Sequence, residues 1–112
     1  MQIDVEKNDK AIIITPKMPA IDAVMAGEFK EFSHKLINPE YSMYILDMKN
    51  LTFIDSTGLG VLISIQKNIT EDQRFVLCNI PETVFNIIKL TRLDGYFTIR
   101  PSVASAMQVD VE

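Results

Sequence analysis

The sequence predicts an α/β fold, a mixed and mostly parallel sheet of about five strands with about four helices, in the order β-β-α-β-α-β-α-β-α. Three observations lead there. Stretches with the two-residue periodicity of strands alternate with stretches carrying a helical apolar stripe. The chain opens on two strands joined by a short polar turn, so one pairing is antiparallel. With 112 residues, 47% of them hydrophobic and 23% charged, the chain is expected to form one domain, residues 1–112, around a real core.

Gln2 to Glu6 alternates, with Ile3 and Val5 on one side and Asp4 and Glu6 on the other. Lys7-Asn8-Asp9-Lys10 is a polar turn, and Ala11 to Thr15 resumes as a strand, which makes a hairpin. The consecutive Ile12, Ile13 and Ile14 suggest burial on both faces. Pro16-Lys17-Met18-Pro19 then breaks the strand, because two prolines remove two ladder donors. A helix is expected from about Ile21 to Ile37, with Met25, Phe29, Phe32 and Leu36 along one face. It ends at Asn38-Pro39, since a residue before proline avoids the helical region. His34 is read as a solvated residue on this helix.

Tyr41 to Met48 is apolar on both faces and reads as a central strand. After it comes the polar corner Asp55-Ser56-Thr57-Gly58, which opens a helix of about Ser56 to Thr70. Glu71-Asp72-Gln73 turns the chain into a strand from Arg74 to Ile80. Pro81 suits the first turn of the next helix, striped by Val84, Ile87, Ile88 and Thr91. Asp94-Gly95 turns into a short strand, Tyr96 to Ile99. Pro101-Ser102 opens a last helix with Val103, Ala106 and Met107 as its apolar positions.

Composition narrows the function. Net charge is −4 and the chain has no basic cluster, which argues against direct nucleic acid binding. Cys78 is the single cysteine and lies in an apolar run, so it is expected to be a buried, inert thiol. No apolar run approaches the roughly 20 residues of a membrane helix, and the first residues lack the layout of a signal peptide. A cytoplasmic location without membrane insertion is the expectation. Phosphate-loop and dinucleotide-loop glycine patterns are absent, as are metal-ligand spacings. The sequence therefore predicts no enzyme, no cofactor and no metal.

The corner stands out instead. Asp, Ser and Thr are favoured helix N-caps, and capping alone would account for them. Two features point further. Gly58, Val61, Leu62, Ile65 and Ile69 form one helix face, which leaves Leu59 and Ile63 on another. If exposed, these two make an apolar patch beside Ser56; the alternative is that the first helix or the loop Leu51 to Ile54 covers them. Gly58 and Gly60 also cost helix stability, roughly 1 kcal/mol each relative to Ala, and let another backbone approach closely.

Phe53-Ile54-Asp55-Ser56-Thr57-Gly58-Leu59-Gly60-Val61-Leu62 resembles the signature of STAS domains, in particular bacterial anti-sigma factor antagonists. Val84 through Leu93 resembles that family's third helix and the segment after it. The resemblance implies a phosphorylation switch at Ser56. The unphosphorylated protein would bind an anti-sigma factor with serine kinase activity and free a sigma factor, and a serine phosphatase would reset it. Asp55, Ser56, Thr57, Gly58, Leu59 and Ile63 are the expected partner-binding residues. ATP would belong to the kinase, not to this chain. Many of the family carry Gly-x-Leu-Asp or Gly-x-Ile-Asp after the second strand, with its acid near the serine. Aligned with Pro16-Lys17-Met18-Pro19, this chain has prolines in both key places. The alternative reading is a non-enzymatic STAS interaction module in a transport or stress-signalling assembly.

Overall fold

The computed structural model describes residues 2–109. Its elements run β1 (Ile3–Lys7), β2 (Ala11–Pro16), β3 (Ala20–Ile21), α1 (Ala26–Leu36), β4 (Met43–Asp47), β5 (Phe53–Ile54), α2 (Ser56–Asn68), β6 (Arg74–Cys78), α3 (Glu82–Leu90), β7 (Thr98–Arg100) and α4 (Val103–Ala106). The main sheet has five strands in the order β1-β2-β4-β6-β7. β1 is antiparallel to β2, and every other pairing in this sheet is parallel. The mixed, mostly parallel α/β class is therefore the one expected.

The hairpin forms because Asn8 caps its own turn: Asn8 Oδ1 accepts from the Lys10 and Ala11 N–H groups, both at 2.8 Å. The sheet is covered on both faces. Tyr44 and Leu46 of β4 enter the larger cluster with Phe29 of α1, Leu62 and Ile65 of α2, and Val84 and Ile88 of α3. Met43 and Ile45 enter a second cluster with Val76, Cys78 and Ala106. Period-two alternation between two covered faces is why every residue of β4 is buried. The triple isoleucine of β2 is split the same way, Ile12 and Ile14 against the helices and Ile13 half-buried on the other side.

Three elements depart from the sequence expectation. α1 begins at Ala26, not near Ile21. Ile21 instead belongs to β3, and Asp22 Oδ1 accepts from Val24 N–H at 3.0 Å and Met25 N–H at 3.2 Å, closing a turn that delays the helix. β7 begins at Thr98, because the Tyr96 and Phe97 N–H groups are both spent on the Leu93 carbonyl. The third departure is a separate two-stranded sheet of β3 and β5, with Ala20 opposite Phe53 and Ile21 opposite Ile54. Two-residue strands carry too little periodicity to show in a sequence.

α3 ends in a Schellman motif. Leu93 N–H bonds to the Ile88 carbonyl and Arg92 N–H to the Lys89 carbonyl, both at 3.0 Å. Arg92 takes the left-handed conformation there (φ 60°), a place usually held by glycine.

Candidate functional site

The corner is positioned by β3 and β5. Pro19 cannot donate, but its carbonyl accepts from Thr52 N–H at 2.7 Å and Phe53 N–H at 3.2 Å. The loop bounded by prolines thus anchors the strand that leads into α2. Ile21 and Ile54 point inward and are buried. By alternation, Ala20 and Phe53 point outward.

Asp55 is the N-cap of α2, with extended backbone (φ −103°, ψ −174°). Its Oδ1 accepts from Gly58 N–H at 3.0 Å and from the Thr57 hydroxyl at 2.5 Å. Its Oδ2 accepts from Ala23 N–H at 3.0 Å, tying the turn before α1 to the start of α2. The Thr57 hydroxyl first, then the Gly58 and Ala23 N–H groups, hold the Asp55 carboxyl below the usual carboxylate range, so it is ionised near neutral pH. Capping explains Asp55 and occupies Thr57.

Ser56 is different. It is the first residue of α2, it is exposed, and its hydroxyl makes no hydrogen bond to any described residue. The corner therefore distinguishes its two hydroxyls: Thr57 donates to Asp55, while Ser56 faces outward. Gly58 is required by packing, since a Cβ there would lie 2.1 Å from the Ile21 carbonyl oxygen and 2.7 Å from Ile54 Cγ1. The close backbone approach expected at the glycines thus occurs at Gly58. Gly60 has no such neighbour within 4 Å.

The apolar side of the corner is not where the sequence put it. Leu59 is only 5% exposed and belongs to the main core, and Ile63 is half-buried against that core. Both side chains pack into the core, so an exposed patch built on Leu59 and Ile63 does not exist. The exposed apolar side chains at the corner are Phe53 (48%) and Val24 (86%). Periodicity could not find them, because Phe53 precedes the helix and Val24 lies in a turn.

An acid also follows β3. One step beyond the Ile21–Ile54 pair, the parallel register sets Asp22 alongside Asp55.

Two other residues can be placed. His34 is half-buried, not solvated: its ring lies 3.2 Å from Ser64 Oγ, and Asn68 Nδ2 is 3.0 Å from Nδ1, linking α1 to α2. Burial, and then the Lys30 charge, lower its pKa. Cys78 is fully buried, and burial, reinforced by Asp47, pushes its thiol up to about 12. Among the described residues no group of three or more His, Cys, Asp or Glu could hold a metal ion. No described helix is long and apolar enough to cross a membrane.

Comparisons with known proteins agree with this geometry. A provisionally named anti-sigma factor antagonist of Thermotoga maritima is 28% identical over 102 residues, spanning 89% of each chain. The crystal structure of a protein so named from Thermotoga maritima superposes with a TM-score of 0.85 at 27% identity, covering 95% of this chain and 92% of that one. An anti-sigma factor antagonist from Mycobacterium paratuberculosis shares the fold, with a TM-score of 0.85 at 21% identity over 95% of this chain and 90% of that one. The STAS domain matches residues 2–106. With its hairpin-led sheet, its β5-to-α2 corner and this match over nearly its whole length, the chain belongs to the STAS domain family.

Proposed function

We propose that this chain is an anti-sigma factor antagonist whose partner binding is switched at Ser56. Unmodified, it binds an anti-sigma factor with serine kinase activity and frees a sigma factor. Phosphorylation of Ser56 ends the complex, and a serine phosphatase restores it. The observation that carries this reading is the outward, unbonded Ser56 hydroxyl at the first position of α2, beside a Thr57 hydroxyl already committed to Asp55.

The electrostatics fit a switch of binding, not of folding. A phosphate adds about −1.5 to −2 charges. The N-terminus of α2, a helix of 13 residues, favours an anion through its N–H groups and dipole. Ionised Asp55 next door opposes it only at the surface. A partner pressed against the corner would have to bury the new charge without a counter-charge, which is strongly unfavourable. Asp55 and Thr57 form the docking surface around Ser56, Gly58 lies buried beneath it against Ile21 and Ile54, and ATP comes with the kinase. Leu59 contributes from below, by packing the helix that carries Ser56, and Ile63 is at most a margin of the surface. No direct nucleic acid contact, membrane insertion or chemistry of the chain's own enters this reading.

The test incubates wild type and Ser56→Ala with ATP and the anti-sigma serine kinase of the same genome, and locates phosphate by mass spectrometry. One phosphate on Ser56 in wild type and none in Ser56→Ala is expected. Phosphate elsewhere, or persisting in Ser56→Ala, overturns the assignment. Ser56→Asp is expected to stay folded and lose the partner. Binding equal to wild type would instead favour a fixed interaction module in a transport or stress-signalling assembly.

A further inference from the structure

Among the described residues the large apolar side chains left exposed are Val24, Phe53, Leu90 and Tyr96. Two of them flank the α2 corner. Of the six phenylalanines, Phe53 alone is exposed. It is three residues before Ser56, and its cross-strand partner is Ala20, too small to cover the ring. Val24 adjoins Ala23, whose N–H is 3.0 Å from the Asp55 carboxylate. The two side chains thus border the cap of α2 from opposite chain segments.

Both are held on fixed backbone. Phe53 is in a ladder, and its N–H is bonded to the Pro19 carbonyl at 3.2 Å. The Val24 N–H is bonded to Asp22 Oδ1 at 3.0 Å. Neither is left exposed by a lack of core: their neighbours Ile21 and Ile54 are fully buried. An aromatic ring on rigid backbone loses little freedom when a partner covers it, and aromatic anchors of this kind carry most of the affinity in interfaces.

We infer that Phe53 and Val24 are the apolar anchors of the surface around Ser56, and that the kinase partner meets them with an apolar recess. This rests on the functional reading above and deepens it. Phe53 fills the recess and Val24 closes its rim beside the cap of α2. Covering both excludes water from the serine, so a phosphate added there loses its hydration and cannot stay in the complex. The recess must also be free of carboxylates, because Asp22 and Asp55 lie along the same edge.

The experiment measures affinity for that anti-sigma serine kinase by calorimetry, using wild type, Phe53→Ala, Val24→Ala and Leu90→Ala, each checked for an unchanged melting temperature. Phe53→Ala is expected to weaken binding about tenfold or more, Val24→Ala by a few-fold, and Leu90→Ala, at the far end of α3, by less than about twofold. Val24→Ala is the second reading of the surface should Phe53→Ala fold poorly. If the kinase binds wild type and both corner variants equally well, the anchors are refuted and the switch at Ser56 stands. If wild type neither binds the kinase nor takes phosphate from it, the functional reading fails and the anchors fail with it.

Discussion

Gly58 and Gly60 lie two residues apart at the start of α2 and occupy opposite environments. A methyl on Gly58 would run into the Ile21 carbonyl oxygen at 2.1 Å, whereas one on Gly60 meets nothing within 4 Å. Gly58→Ala must push β3 away from the helix and is expected to destabilise by about 1–3 kcal/mol, as overpacking does. Gly60→Ala removes only a propensity penalty and is expected to stabilise by about 0.5–1 kcal/mol. Urea denaturation of the two variants checks both signs, and equal effects would mean that β3 does not sit on α2. The sequence marked both glycines as places of low bulk. It could not separate them, because the difference lies in a strand more than thirty positions away, at Ile21. Ser56 and Asp55 were legible for the contrary reason: capping is local, and Asp55 bonds Gly58 three residues on.

α1 and α2 meet through His34, which faces Ser64 and Asn68. Burial first, and Lys30 second, hold its pKa below the ordinary value, so the folded protein resists protonating it. The unfolded chain has no such resistance. As pH falls below about 6.5 the unfolded state takes up the proton first, and stability declines until the lower folded pKa is reached, then levels off. Above that window His34 is neutral in both states and contributes no slope. Urea midpoints collected between about pH 5 and pH 8 should fall toward acid in wild type, and the fall should be smaller in His34→Gln, which cannot titrate. A pair of parallel profiles would show that the histidine is solvated after all. That solvated reading was natural from the sequence, since polar residues surround His34 on α1. It failed because the face of α1 that meets α2 is set by helix crossing, not by the polarity of one helix.

At the scale of the molecule, the sheet is sandwiched between the helices on one face and α4 with Val109 on the other. α4 is a single turn, yet it closes the side that holds Cys78. With its thiol pushed up to about 12, Cys78 carries almost no thiolate in the folded protein, against an ordinary pKa of about 8.5. Iodoacetamide at about pH 8 should therefore leave native protein unlabelled and modify it at the rate set by unfolding, faster in Gly58→Ala than in wild type. Labelling at the rate of a free thiol under native conditions would mean that α4 does not seal this face.

The sequence by itself determined the alternation of strands and helices, the opening hairpin, the central placement of the strand within Tyr41 to Met48 and the Asp-Ser-Thr-Gly corner. Each is written in neighbouring residues, as a periodicity, a proline, or a cap that bonds three positions away. Only the tertiary structure decided which sides of α2 are covered, that β3 pairs with β5, and that Asp22 stands beside Asp55. It also decided that the apolar groups at the corner are Phe53 and Val24, not Leu59 and Ile63. Burial and register are properties of pairs of segments far apart in the chain, and no single segment encodes them.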